Sequence, residues 1–318
     1  MKRKIIRQKS AYTITLPVKW IREYNLEKAP DVDVTEQNNE LVITAQKRAV
    51  ASKVDLRLEK GIPDYYRTMI ENQYLRGTDV LEISFADAGA IVTIQDVVSN
   101  LIGYEIVDQR KNWCRVSQTA MPTMDEVATI ERRFFNVIAY GRDVLAQALH
   151  TETFNQMAVM DKFISDCRRY NLFCRRAIHK ASAVSRTDEV FLDMLNERLV
   201  IAAYHHYYIY SKIIALQSNK RSEKGQKIRK SVLALFTLSA STFDMFMTMY
   251  NKQDMTLFSK INDAWQRIYF HDAQKLLAGC NEKEAIIISH AMAHAFEISL
   301  VAQPNTVLAG NLLTVKKI

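Results

Sequence analysis

Hydrophobic and polar positions change rhythm twice along the 318 residues. In the first stretch Ile5 and Ile6 follow a basic run, and Tyr12, Ile14 and Leu16 then alternate with other positions in the period-two pattern of a strand. Leu16-Pro17 opens a short helix, and two more strands, 32–35 and 41–44, flank the polar turn Glu36-Gln37-Asn38-Asn39-Glu40. A module of about 46 residues is below the size at which one chain usually buries enough surface to fold alone, so pairing with a second copy is expected.

The next stretch mixes the two periods. Val54-Asp55-Leu56-Arg57-Leu58 alternates as a strand, residues 62–76 have helical spacing, and Gly77-Thr78-Asp79 stops that helix before the strand Val80–Ile83. A helix is predicted from about Ile94 to Leu101, with Gly103 as its stop, and strands 104–108 and 113–117 flank the charged turn Gln109-Arg110-Lys111-Asn112. The order βαβαββ predicts a small open sheet with helices on one face.

From Met124 the apolar positions fall almost continuously at helical spacing. Six helices are predicted, at about 125–150, 153–180, 188–217, 223–251, 253–278 and 282–302, with breaks at 181–187, 218–225 and near Gly279-Cys280-Asn281. They group as three plus three about the charged joint 218–225, and short connections predict antiparallel up-and-down bundles. The fold class expected is therefore multi-domain α+β: a small dimeric β module over 1–47, a connector over 52–120, and a helical domain over 124–303 in two units, 124–217 and 223–303. The tail, 303–318, is unassigned.

Composition agrees with a folded protein: 48% hydrophobic, 25% charged, and only 8 Gly and 5 Pro, which disfavours an all-β sandwich. The charge is unevenly placed. Residues 1–28 hold eight cations against Glu23 and Glu27, a formal +6, most of the whole chain's +8. Positive charge gathered on a small dimeric module suits a polyanion, because each neutralised phosphate releases a counterion; the plainer reading is a solvated basic segment. Cys114, Cys167, Cys174 and Cys280 show no C-x-x-C pair or zinc spacing, and reduced core thiols are expected. No signal peptide precedes the basic strand, and the charge-free run Val232–Phe243 is short for a bilayer, so a cytoplasmic protein without membrane insertion is expected.

The pattern K-R-K-x-x-x-x-x-S-x-Y-T-I-T-L-P-x-x-W, with Asp31-Val32-Asp33-Val34 and Leu41-Val42-Ile43, resembles the SpoVT/AbrB swapped-hairpin DNA-binding domain. The resemblance implies a barrel interlaced from two subunits with a basic face to DNA. The family's usual Gly-Asp before the third strand is Pro30-Asp31 here, and both residues also favour turns. Tyr74, Gly77, Asp79 and the run Ile102–Val107 resemble the connector of archaeal phosphate-uptake regulators, and the helical part resembles PhoU. The three-part order is what makes the resemblance specific.

Candidate chemistry is sparse. PhoU proteins often hold metal clusters on Glu-x-x-x-Asp motifs, whose spacing stacks two carboxylates on one helix side. Those places look eroded here: Ile201 stands four residues after Glu197 and Ala203 aligns with the motif Asp, and the matching last-helix stretch 288–297 has no carboxylate pair. His290 and His294, four apart with Glu297 on a similar face, could share an ion; a hydrogen-bonded interhelical pair is the plainer reading. Asp161 and Asp166 read as solvated carboxylates, and the tyrosines 204–210 as interhelical packing. No nucleophile elbow, phosphate loop or dinucleotide fingerprint occurs, so neither catalysis nor a cofactor is expected.

The function expected is a homodimeric transcription regulator of phosphate uptake. Double-stranded DNA would be met by Arg3, Lys4, Arg7, Lys9, Lys19 and Arg22, with Arg7 and Arg22 first. The alternative is an adaptor whose barrel only dimerises and whose bundle grips a phosphate transporter ATPase or kinase. A metal-storing or metal-sensing bundle would need carboxylate clusters that the sequence lacks.

Overall fold

The computed structural model describes residues 3–9, 11–28, 31–37, 40–45, 51–59, 61–120, 124–180, 186–218 and 227–315. The chain is mixed α+β and mostly helical, and it divides into two compact units, 1–52 and 53–318. The first holds two antiparallel hairpins, β1 (Ile5–Gln8) with β2 (Ala11–Ile14) and β3 (Val32–Gln37) with β4 (Glu40–Ala45), and between them α1 (Val18–Glu23). Ser10, Pro30, Asn38 and Asn39, which belong to predicted turns, lie outside the described residues.

The second unit opens with β5 (Lys53–Leu58), α2 (Pro63–Leu75), β6 (Val80–Phe85), α3 (Ala90–Ser99), β7 (Tyr104–Arg110) and β8 (Trp113–Gln118). The strands form one sheet in the order β5-β6-β8-β7, with β5 and β6 parallel and the other pairs antiparallel. Alternation settles the faces. Leu56, Leu58, Leu81, Ile83, Phe85, Cys114 and Val116 are buried with Ile70 and Tyr74 of α2 and Ile94 and Val97 of α3. On the other side of the pleat Glu82 pairs with Lys53 and Arg115. Gly77 takes φ +79° beyond the end of α2, where Thr78 N–H reaches back to the Gln73 carbonyl in a helix-ending turn that disfavours a side chain. α3 begins four residues before its predicted start, because Ala90-Ile91-Val92 is apolar without a break and gives periodicity nothing to count.

Helices α4 (Met124–Thr151), α5 (Met157–Lys180) and α6 (Arg186–Ser218) pack on one another. So do α7 (Lys230–Lys252), α8 (Thr256–Arg267) and α10 (Glu282–Val315), with α6 against α10 forming the seam. α8 runs through a π turn, Ile268–Asp272, into α9 (Ala273–Leu277). One apolar core, including Phe134, Leu199, Phe243 and Ile298, is continuous across the seam.

Three predicted boundaries move. Residues 153–156 form a loop that Tyr210 closes by accepting the Gln156 N–H at 2.7 Å, so α5 starts at Met157. Residues 227–229 are not helical, Arg229 being extended ahead of α7, and the predicted first turn 223–226 lies outside the described residues. Gln253 sits in the left-handed region (φ 56°) and ends α7. The tail left unassigned by the sequence continues α10 to Val315. Asn281 and Glu284 start that helix reciprocally: Glu284 N–H donates to Asn281 Oδ1 at 2.9 Å and Asn281 N–H to Glu284 Oε2 at 3.3 Å. By length and composition α7 and residues 282–303 could cross a bilayer, although 44% and 50% of those windows lies buried inside the unit.

Candidate nucleic-acid interface and the polar centres of the larger unit

The six predicted DNA-facing cations lie on three pieces of the small unit. Arg3 and Lys4 lead into β1, Arg7 is within it, Lys9 turns the chain out of it with φ 53°, and Lys19 and Arg22 lie on α1; all six are exposed. Arg22 approaches Glu27 at 3.7 Å, a solvent-screened pair of little energetic weight. The hairpin register sets Arg7 opposite Tyr12 and Ile5 opposite Ile14. Directly paired residues share a face, so Arg7 lies on the side that carries Ile5, Tyr12 and Ile14.

That side is open. Eight large apolar residues of this unit are exposed, Ile5, Tyr12 and Leu41 by 60–70%, and only Leu26 is buried among its described residues. The sequence puts apolar residues on both hairpins but gives the unit no core of its own. Exposure on this scale in so small a unit marks an interaction surface.

No family model, curated protein or solved structure matches the chain.

In the helical region each of the two histidines that spacing suggested could share an ion meets a histidine ring of α6. His290 faces His205 across the α6–α10 seam, with Nδ1 to Nδ1 at 3.1 Å; one ring donates and the other accepts, so at least one is neutral. One turn on, His294 stacks near His206 with ring centres 4.5 Å apart. Ser239 Oγ donates its only hydrogen to the Ala291 carbonyl at 2.7 Å and so accepts from His294 Nδ1–H at 3.0 Å. Burial pushes His205 down to about 4, with His290 adding repulsion, and His294 down to about 3, with His205 and Arg142 adding to it. Glu297 is engaged elsewhere, by Arg198 at 3.1 Å. Among the described residues no group of three or more His, Cys, Asp or Glu is arranged to hold a metal ion. The histidines act as neutral ring pairs that close the seam.

The remaining expected polar residues find protein partners. Tyr207 donates to Asp161 at 3.0 Å, Asp166 is bridged by Lys162 one turn away, and Glu197 accepts from Arg175. Tyr204 and Tyr208 stack at 5.6 Å. Cys114, Cys167 and Cys174 are buried thiols pushed upward by desolvation.

The sequence reading missed the most elaborate polar centre. Arg176 of α5, 2% exposed, donates to the carbonyls of Tyr74 and Thr78 and to the Gln118 side chain. Its guanidinium lies 4.6 Å from the Tyr74 ring centre and 4.8 Å from that of Tyr104. Beside it Lys180 pairs with Asp79, and His179 donates to the Leu75 carbonyl at 2.9 Å. A signal was present: Cys167-Arg168-Arg169 recurs seven residues later as Cys174-Arg175-Arg176, two turns along one helix. Cys167 lies in the bundle core and Cys174 is buried, while Arg168 and Arg176 reach the α/β part.

Proposed function

We propose that the chain is a homodimeric DNA-binding regulator of transcription that works in the cytoplasm. The 1–52 unit pairs with its copy and grips double-stranded DNA, and the larger unit senses or docks. The observation that supports this best is the small unit's combination of eight exposed large apolar residues with the six candidate cations, all exposed. Pairing with a second copy would join two sets of cations on one body, and each contacted phosphate would add to affinity through counterion release. Two-fold symmetry would favour a pseudo-palindromic or shape-defined site. The resemblance to SpoVT/AbrB and PhoU proteins adds phosphate uptake as the expected regulon; that part rests on the resemblance alone.

A second reading keeps the dimer but makes the larger unit the working end, as an adaptor for a phosphate transporter or kinase. It is favoured by an aromatic group around the π turn, where Tyr269, Phe270 and Phe296 are each about 40–50% exposed around Trp265.

Fluorescence anisotropy with the chain's own upstream duplex and a scrambled duplex, across a salt series, separates the two. The regulator is expected to prefer the native duplex with a steep salt slope. Arg7→Ala and Arg22→Ala are each expected to flatten that slope by about one unit per lost phosphate contact. Weak binding equal on both duplexes would remove the DNA reading and leave the adaptor.

A further inference from the structure

Three of the four arginines in the α5 doublets have protein acceptors. Arg168 makes a forked pair with Glu71, Arg175 with Asp193 and Glu197, and Arg176 with the carbonyls described above. Arg169 has no hydrogen bond or ion pair among the described residues, and its Nε is shut off from solvent without a partner. A half-buried guanidinium with no carboxylate beside it keeps its charge uncompensated by the protein.

Arg169 lines a cavity of about 320 Å³ between α2 and α3 on one side and α5 and α6 on the other. Arg67, Arg168, Glu71, Asp96 and Tyr204 line it too. The two carboxylates are already engaged, Glu71 by Arg168 and Asp96 by Arg67 at 3.0 Å. Their charge is cancelled where it stands, and the lining keeps one formal positive charge in excess, at Arg169. The volume lies at the small end of metabolite pockets, about 300–1,000 Å³. A guanidinium fork matches the oxygens of a phosphate group bidentately, and of the three arginines that line this space only Arg169 has no carboxylate partner.

We propose that this cavity is a binding site for a compact phosphate-type anion, inorganic phosphate or the phosphate group of a small monoester, with Arg169 as its principal ligand. The ligand's oxygens would meet the Arg169 guanidinium where it lines the cavity, while Arg67 and Arg168 line the same space without giving up their carboxylates. The site stands whether or not the 1–52 unit binds DNA, since every residue in it belongs to the larger unit.

Isothermal titration calorimetry of the full chain, with inorganic phosphate in one arm and ribose 5-phosphate in the other at fixed ionic strength in chloride, tests it. Saturable one-to-one binding is expected in at least one arm, and the arm with the tighter binding says which source the site prefers. Arg169→Met is expected to weaken it at least tenfold, whereas Arg110→Ala, an exposed arginine of β7, is expected to leave it unchanged. Arg169→Gln keeps a polar tip and is expected to lose binding as well, with a melting temperature close to the parent's. Hydrogen exchange on the unsubstituted chain needs no variant: the anion is expected to slow exchange around residues 164–172. No saturable heat with either anion, equal affinity in both Arg169 variants and the parent, or protection confined to other segments would overturn the proposal.

Discussion

Lowering the pH from 7.5 to 5.5 is expected to destabilise the larger unit through the α6–α10 seam. Burial pushes His205 to about 4 and His294 to about 3, and it pushes His206 and His290 down as well. In the unfolded chain each returns to about 6.5. These are bases with a depressed folded value, so between the two values the unfolded chain binds more protons. Their stabilising contribution is complete above about 6.5 and is lost as pH falls toward 4 and 3. At pH 5.5, one unit below the unfolded value, each histidine kept neutral by folding costs about 1.4 kcal/mol, so His205 and His294 together cost about 3 kcal/mol. The groups facing the seam do not relieve this: Arg142 repels a second positive charge and is itself held by Asp244, and Lys212 disfavours a proton on His290. His179 opposes the trend, because its bond to Asp193 raises it and its contribution is complete only below about 6.5. Carboxylates, with unfolded values near 4, stay ionised at pH 5.5 and add little. The assay is the urea midpoint by far-UV circular dichroism at the two pH values, repeated on the double variant His206→Phe, His294→Leu. The parent is expected to lose about 2–4 kcal/mol on acidification and the variant about half as much. An unchanged midpoint in the parent, or an equal loss in the variant, would refute neutral histidines at the seam.

Two further substitutions test the packing. Arg176→Met leaves the Tyr74 and Thr78 carbonyls and Gln118 without their donor and removes two ring contacts, and is expected to cost about 3–5 kcal/mol in urea unfolding; a loss below about 1 kcal/mol would mean that water or a shifted side chain replaces it. Gly141→Ala on α4 drives a methyl into the buried ring of Phe163 on α5, an overpacking cost of about 1–3 kcal/mol that outweighs the roughly 1 kcal/mol gained in helix propensity. A fall in melting temperature is expected, and a rise would show that the two helices can part without cost.

What the sequence disclosed followed from local period. Leu56 and Leu58, or Leu81, Ile83 and Phe85, alternate because one face of the sheet is buried, and that is visible without the fold. The helices after residue 124 were visible for the same reason. Boundaries were lost where the deciding contact comes from far along the chain, as when Tyr210 holds Gln156 and makes 153–156 a loop. The histidine pairs were hidden for the same cause. Spacing along α10 makes His290 and His294 neighbours, but their ring partners are on α6, 85 and 88 residues earlier in the chain. Arg176 is the sharpest case: a residue type almost never fully buried, held by partners about 60–100 residues earlier. The repeated Cys-Arg-Arg on α5 was the one local hint, and it becomes informative only once Cys167 is known to lie in the bundle core.

Helix α5 explains why the α/β part and the helices form one unit. Met160, Phe163 and Cys167 fill the bundle core, whereas Leu172 belongs to the core under the sheet, and Arg168, Arg176, His179 and Lys180 each bind residues of that part. Loosening α5 therefore exposes both cores together, and the two parts are expected to unfold in one transition. The cavity beside Arg169 lies against that same helix, so an anion bound there adds its binding energy to the stability of both cores at once. The 1–52 unit contributes to neither core and leaves its own apolar surface open. On the proposed pairing with a second copy its stability depends on protein concentration, whereas that of the larger unit is expected to depend on ligand and pH. Dilution and anion titration would then act on separate transitions of the same chain.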